Sequence, residues 1–148
     1  MIRGFKLFFK FIKKPLTTKI LLLKVTILLA FWRLMILVAP FKKMTPYLGT
    51  QMKASEDQVD ENIFPRILLI ATAIQAMSRH LPWECKCLVQ AMTGKSMLRQ
   101  QSIECTIYFG LAKDEHQKLL AHAWLRVGEE VVLGKAGMED YTIVSHFT

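Results

Sequence analysis

Cys87 and His122 are the residues in this sequence best suited to chemistry. Cys87 opens a helix-forming stretch, and His122 lies in the middle of an alternating segment, Ala-His-Ala-Trp-Leu-Arg. A cysteine in the first turn of a helix meets unpaired backbone N–H groups and the positive end of the macrodipole, and both favour thiolate over thiol. A thiolate beside an imidazolium is the activated form of a nucleophilic cysteine. The same N–H groups can hold an oxyanion as it develops on an attacked carbonyl. Spacing alone does not decide the matter. A helix cysteine and a strand histidine are more often plain packing residues, because such signals do not transfer between unrelated families.

The remaining candidates are weaker. Cys85 precedes Cys87 by two residues and Cys105 falls on one side of a strand, where a cysteine is ordinarily core. Cys-x-Cys with a distant histidine matches no common zinc spacing, so no metal and no cofactor are expected. Trp124 shares a strand face with His122 and is a candidate wall for a substrate cleft, or a core tryptophan. His80, His116 and His146 fall near turns or the terminus and read as solvated. Gly94 stands alone in a helix with no phosphate-loop pattern around it, which points to close packing.

These residues need elements to hold them. Residues 85–100 are helical, with Cys87, Ala91, Gly94 and Leu98 on one face. Residues 103–112 read as a strand, with Asp114, Glu115 and His116 marking the turn after it. Residues 118–127 and 130–134 form a hairpin with its tip at Gly128-Glu129, and 141–147 a last strand. On 118–127, Leu120, His122, Trp124 and Arg126 face one way, and Ala121, Ala123 and Leu125 the other. Upstream, Asp60 or Asn62 is placed to cap a helix running to about Arg79, which Pro82 follows. Residues 41–60, with Pro46, Gly49 and the Ser55–Asn62 polar cluster, read as a linker.

Residues 1–14 alternate apolar and basic side chains, as a short amphipathic helix does. Residues 20–39 are apolar and nearly long enough to span a bilayer. Lys24 and Arg33 lie nine residues apart, on opposite sides of a helix, and each is costly in lipid. A helix, or two, docked on the globule with both charges emerging is the favoured reading. No small-residue cleavage site follows the apolar stretch, which argues against a cleaved signal.

The net charge of +8 is unevenly spread. Residues 1–53 carry eleven Lys/Arg and no acid, which leaves nine cations against all twelve acids in the rest, a net of −3. A basic arm is joined to a mildly acidic globule, and such an arm suits an anionic surface or an acidic partner. The acidic part carries no aromatic-interleaved nucleic-acid motif, so no nucleic acid is expected. At 52% hydrophobic residues the chain has a real core, and three cysteines, two of them adjacent but one, suit a reducing compartment.

An ordered set of short motifs adds a family resemblance. Cys87-Leu88 opens a helix; Arg99-Gln100-Gln101-Ser102-Ile103 ends it and enters a strand; Phe109-Gly110-Leu111-Ala112-Lys113-Asp114 ends that strand; His122-Ala123-Trp124 follows, then Tyr141–Phe147. This set resembles the leader peptidase of bacterial lasso-peptide biosynthesis, the B-type microcin-processing protein, within the transglutaminase-like superfamily. It covers residues 80–148 well and 15–50 loosely.

The resemblance implies an α+β fold with a transglutaminase-like, papain-like core. A helix carrying the cysteine would pack on a small antiparallel sheet carrying the histidine. Residues 1–55 would form a helical N-terminal region and linker, and 56–148 the catalytic domain. The activity implied is cysteine-peptidase removal of the leader from a ribosomally made precursor peptide, a maturation step before macrolactam formation. The implied partners are that precursor, a separate leader-recognition protein and a macrolactam synthetase. The implied location is cytoplasmic, with membrane contact through residues 1–40 left open. A third group often orients the histidine from the neighbouring strand. Here that slot, opposite His122, runs from Leu133 to Lys135 and holds Gly134 with no carboxylate. Asp140 is the first choice, Glu130 the alternative, and a backbone carbonyl or water is equally open. Two other functions stay in view: an acyl transferase on the same fold, and a non-catalytic scaffold that binds a membrane or partner through its basic end.

Overall fold

The computed structural model describes residues 15–55 and 58–148. The amphipathic helix expected over 1–14 lies outside the described residues. Four helices, α1 (Leu16–Val38), α2 (Phe41–Leu48), α3 (Phe64–Ser78) and α4 (Cys87–Arg99), pack on a sheet of β1 (Thr106–Lys113), β2 (Leu119–Val127), β3 (Glu130–Leu133) and β4 (Thr142–Phe147). This is the α+β arrangement expected.

The apolar stretch forms one helix. Pro15 starts it, and Ala39, forced extended by Pro40, ends it. Val25, Leu29 and Trp32 are buried against α3 and α4, and the Trp32 indole N–H donates to Ser96 Oγ at 2.9 Å. Lys24 is exposed, while Arg33 pairs with Glu84 at 3.4 Å instead of standing free. Leu29 has no exposed surface, so Leu29→Ala should cost about 2–4 kcal/mol, read as a lower urea midpoint.

The expected linker contains a helix. In α2, Met44 and Leu48 are one turn apart and both buried, which anchors the element despite Pro46. Proline has no N–H for the Lys42 carbonyl, and the Thr45 hydroxyl donates to that carbonyl at 2.8 Å. Asp60 does not cap α3 directly. Its carboxylate accepts the Asn62 backbone N–H in a tight turn just before the helix, which begins at Phe64-Pro65.

The sheet order is β3-β2-β1-β4, with every pair antiparallel. Ile107, Ala123, Leu125, Val127, Leu133 and Phe147 meet the helices in one core. Gly94 of α4 lets that helix close on the sheet, since an added Cβ would come within 2.8 Å of both Leu125 and Leu133 side chains. The connection from β3 to β4 must pass from one edge of the sheet to the other. With helices on one face, residues 134–141 cross the other face, and Tyr141 lies directly over Gly110, 2.7 Å from where a Cβ would stand.

Candidate active site

Cys87 is the first residue of α4. Lys86 precedes it with extended backbone and no side-chain cap, so no side chain occupies the first-turn N–H groups. Gln90 uses its side-chain amide on the Cys85 carbonyl at 2.7 Å, which pins the entry to the helix. Glu84 meets both Lys86, at 3.5 Å, and Arg33 of α1. The N-terminal helix thereby braces the turn that presents Cys87, although exposed pairs of this kind contribute about 0–1 kcal/mol each.

The three cysteines occupy different environments. Cys85 and Cys105 are buried, and Cys87 is half-buried. Burial pushes the Cys85 thiol up, against the opposing pull of the Trp83 indole and the Arg33 charge. Burial pushes Cys105 up to about 11, with Lys95 opposing and Glu104 adding. Thiolate is thus disfavoured at both, while Cys87 alone joins a helix N-terminus to solvent access. Brief alkylation with iodoacetamide at mildly alkaline pH should modify Cys87 at least about tenfold faster than the other two, read by peptide mass spectrometry. Equal rates at all three would contradict this distinction.

His122 lies on β2 opposite Gly110 of β1. Strand alternation sets it with Trp124 and Arg126 on the face crossed by residues 134–141, while Ala123 and Leu125 turn to the helices. Its Nε2 is 2.8 Å from the Gly134 carbonyl oxygen. A carbonyl can only accept, so Nε2 carries the proton, and in the neutral ring Nδ1 keeps the lone pair. Tyr141 and Trp124 flank the ring at centroid distances of 5.1 and 5.8 Å. Trp124 is 5% exposed and stacks on Tyr108, so most of its surface is already used in packing.

The bond that holds the ring goes to a backbone carbonyl, the option left open beside the carboxylates. Among the described residues neither Asp140 nor Glu130 is hydrogen-bonded to His122. Asp140 is exposed in a short 3-10 turn, Met138–Asp140, one residue before Tyr141. Glu130 starts β3 and faces Lys135 at 3.9 Å. Tyr141 and Gly110 were not anticipated as neighbours of His122. Counting the β1–β2 register would have found Gly110, but nothing local reveals the chain crossing above it.

Among the described residues no hydrogen bond joins Cys87 to His122: Cys87 heads α4 on one face of the sheet, and His122 turns to the opposite face. Within the sheet, helix α4 packs chiefly against β2. Its Lys95 ammonium reaches the Cys105 and Phe147 carbonyls at 3.0 and 3.3 Å, at the Arg126 end of β2. Strand β3 pairs only with Leu125–Val127, so β2 has no neighbour on that side at His122.

A family model described as transglutaminase-like superfamily matches residues 21–146. The chain belongs to the transglutaminase-like superfamily. No curated protein and no solved structure gives a match. Transglutaminase-like proteins are typically cysteine-based enzymes and include both peptidases and acyltransferases. The transglutaminase-like match takes in most of α1 as well as the sheet, in keeping with Val25, Leu29 and Trp32 sharing the core with α3 and α4.

Proposed function

We propose that this protein is a cysteine peptidase that removes the leader from a lasso-peptide precursor, with Cys87 as nucleophile and His122 as its base. One observation carries the reading. Of three thiols, Cys87 alone is half-buried at an uncapped helix N-terminus, and His122 has its Nε2–H tied to a carbonyl, which leaves Nδ1 to accept a proton.

The chemistry then runs in two stages. His122 Nδ1 takes the Cys87 proton, and the sulfur attacks the carbonyl joining leader to core. First-turn N–H groups of α4 hold the oxyanion. The C–N bond breaks, and the imidazolium returns its proton to the departing amine of the core peptide. Water, deprotonated by the same ring, cleaves the thioester and frees the leader as a carboxylic acid. The Gly134 carbonyl keeps the ring in the tautomer and orientation this requires. Asp140, next to Tyr141 on the crossing segment, is the carboxylate nearest in sequence to a residue that touches the ring.

A separate leader-recognition protein would present the precursor. A macrolactam synthetase would consume the freed amine, and cytoplasmic action fits a ribosomally made substrate. The test mixes purified chain, recognition protein and precursor, and follows the fragments by mass spectrometry. A leader fragment ending in a free carboxylate is expected. A leader fragment joined to an added amine, with little free acid, would make the protein an acyl transferase. An intact precursor would oppose both.

A further inference from the structure

Helix α1 is apolar on two opposite sides. Val25, Leu29 and Trp32 dock it on α3 and α4. On the other side Leu16, Ile20, Leu23, Ile27, Phe31 and Leu34 recur at steps of three and four, and each is between 46% and 71% exposed. At 100° per residue this stripe is centred about half a turn from Leu29. Leu16 to Leu34 spans about 27 Å, an unbroken apolar surface of a size that marks an interaction site.

The charges beside the stripe identify its occupant. Lys19 and Lys24 flank it, each about 70° from its centre and on opposite sides. Exposed Lys42 and Lys43 follow in α2, and no acid occurs anywhere in residues 1–53. Two copies paired through this face would set lysine against lysine with no acid to relieve them. A helix crossing the bilayer would have to leave the core, releasing Val25, Leu29 and Trp32 and breaking the Trp32–Ser96 bond. Long lysine side chains on both borders of an apolar stripe instead match a helix lying in the plane of a membrane, with its ammonium groups at phosphate level.

We propose that the Leu16–Leu34 stripe of α1 seats this protein in the plane of an anionic bilayer, with Lys19 and Lys24 on lipid phosphates. Binding then needs both apolar burial and negative lipid, and it weakens as salt rises. The globule stays docked on the other side of α1.

The full chain should sediment with phosphatidylcholine vesicles containing phosphatidylglycerol, and roughly tenfold less with phosphatidylcholine alone. The triple variant Leu23→Gln, Ile27→Gln, Phe31→Ser should lose roughly tenfold or more of that binding. Its urea midpoint should hold, because the three positions lie off the docking face. Should that variant fold poorly, Lys19→Gln with Lys24→Gln serves instead and should remove most of the preference for anionic lipid. Vesicle binding unchanged in both variants would overturn the proposal and assign attachment to another segment. A dimer abolished by the triple variant, without vesicle binding, would make the face a contact between copies. Resistance to alkaline extraction would make α1 a span. None of these readouts depends on peptidase activity, so this inference and the proposed function stand or fall separately.

Discussion

Cys87→Ala is expected to abolish leader release, a loss of at least about 10⁴-fold, because removing the nucleophile removes the covalent route entirely. Cys85→Ala and Cys105→Ala are the informative controls. Both side chains are buried with their thiols pushed up, so neither offers a thiolate near neutral pH. Each should keep cleavage within a few-fold while losing about 1 kcal/mol of stability from the missing sulfur. The three variants are compared in the reconstituted reaction, with a urea melt to show that each is folded. Cys87 touches the edge of the core, so its alanine variant should lose little stability. A Cys87→Ala protein that cleaves at the normal rate would end the mechanism. Loss of cleavage in Cys105→Ala with a native melt would move the chemistry to the other end of α4.

Most of the fold was legible because burial patterns repeat locally. The face Cys87-Ala91-Gly94-Leu98 and the alternation along Leu119–Val127 are each written within a dozen residues; the structure carries the helix face, while on β2 Ala123, Leu125 and Val127 are buried as read but Ala121 is exposed and Trp124 is buried as well. The docked reading of the apolar helix followed from Lys24 and Arg33 lying on opposite sides. What escaped was non-local. Helix α2 is anchored by Met44 and Leu48 reaching into a core assembled elsewhere, while Pro46 and Gly49 locally argue for a loop. Of the site, the helix position of Cys87 could be read; the slot assigned opposite His122 could not, because a register shift at Leu125/Arg126 pairs Leu133 with Leu125 and β3 ends short of His122. That residues 134–141 cross over β2 and β1, bringing Tyr141 against His122, depends on β3 and β4 occupying opposite edges, which no local pattern encodes.

The Gly134 carbonyl is a positioning group, and its removal separates orientation of the base from the base itself. Gly134 has a φ of 75°, and an added Cβ would stand 2.6 Å from the Ala123 carbonyl oxygen and 3.0 Å from the Trp124 backbone. Both obstacles are main chain, so the segment must move and the carbonyl that accepts from His122 moves with it. Gly134→Ala should therefore destabilise the protein by about 1–3 kcal/mol and lower kcat by about 10²–10³-fold even where it is folded. His122→Ala, which deletes the base, should cost about 10⁴-fold or more with a smaller change in stability. Stability alone could explain a slow Gly134→Ala enzyme, so the deciding readout is the ring. With nitrogen-15 in the imidazole, the native protein should show the Nε2–H tautomer, and Gly134→Ala a mixture of both. A variant that is slow yet keeps the Nε2–H tautomer would show that the carbonyl does not orient the base. A Nδ1–H tautomer in the native protein would leave Nδ1 unable to accept the Cys87 proton, and with it the pairing of Cys87 and His122 would fail.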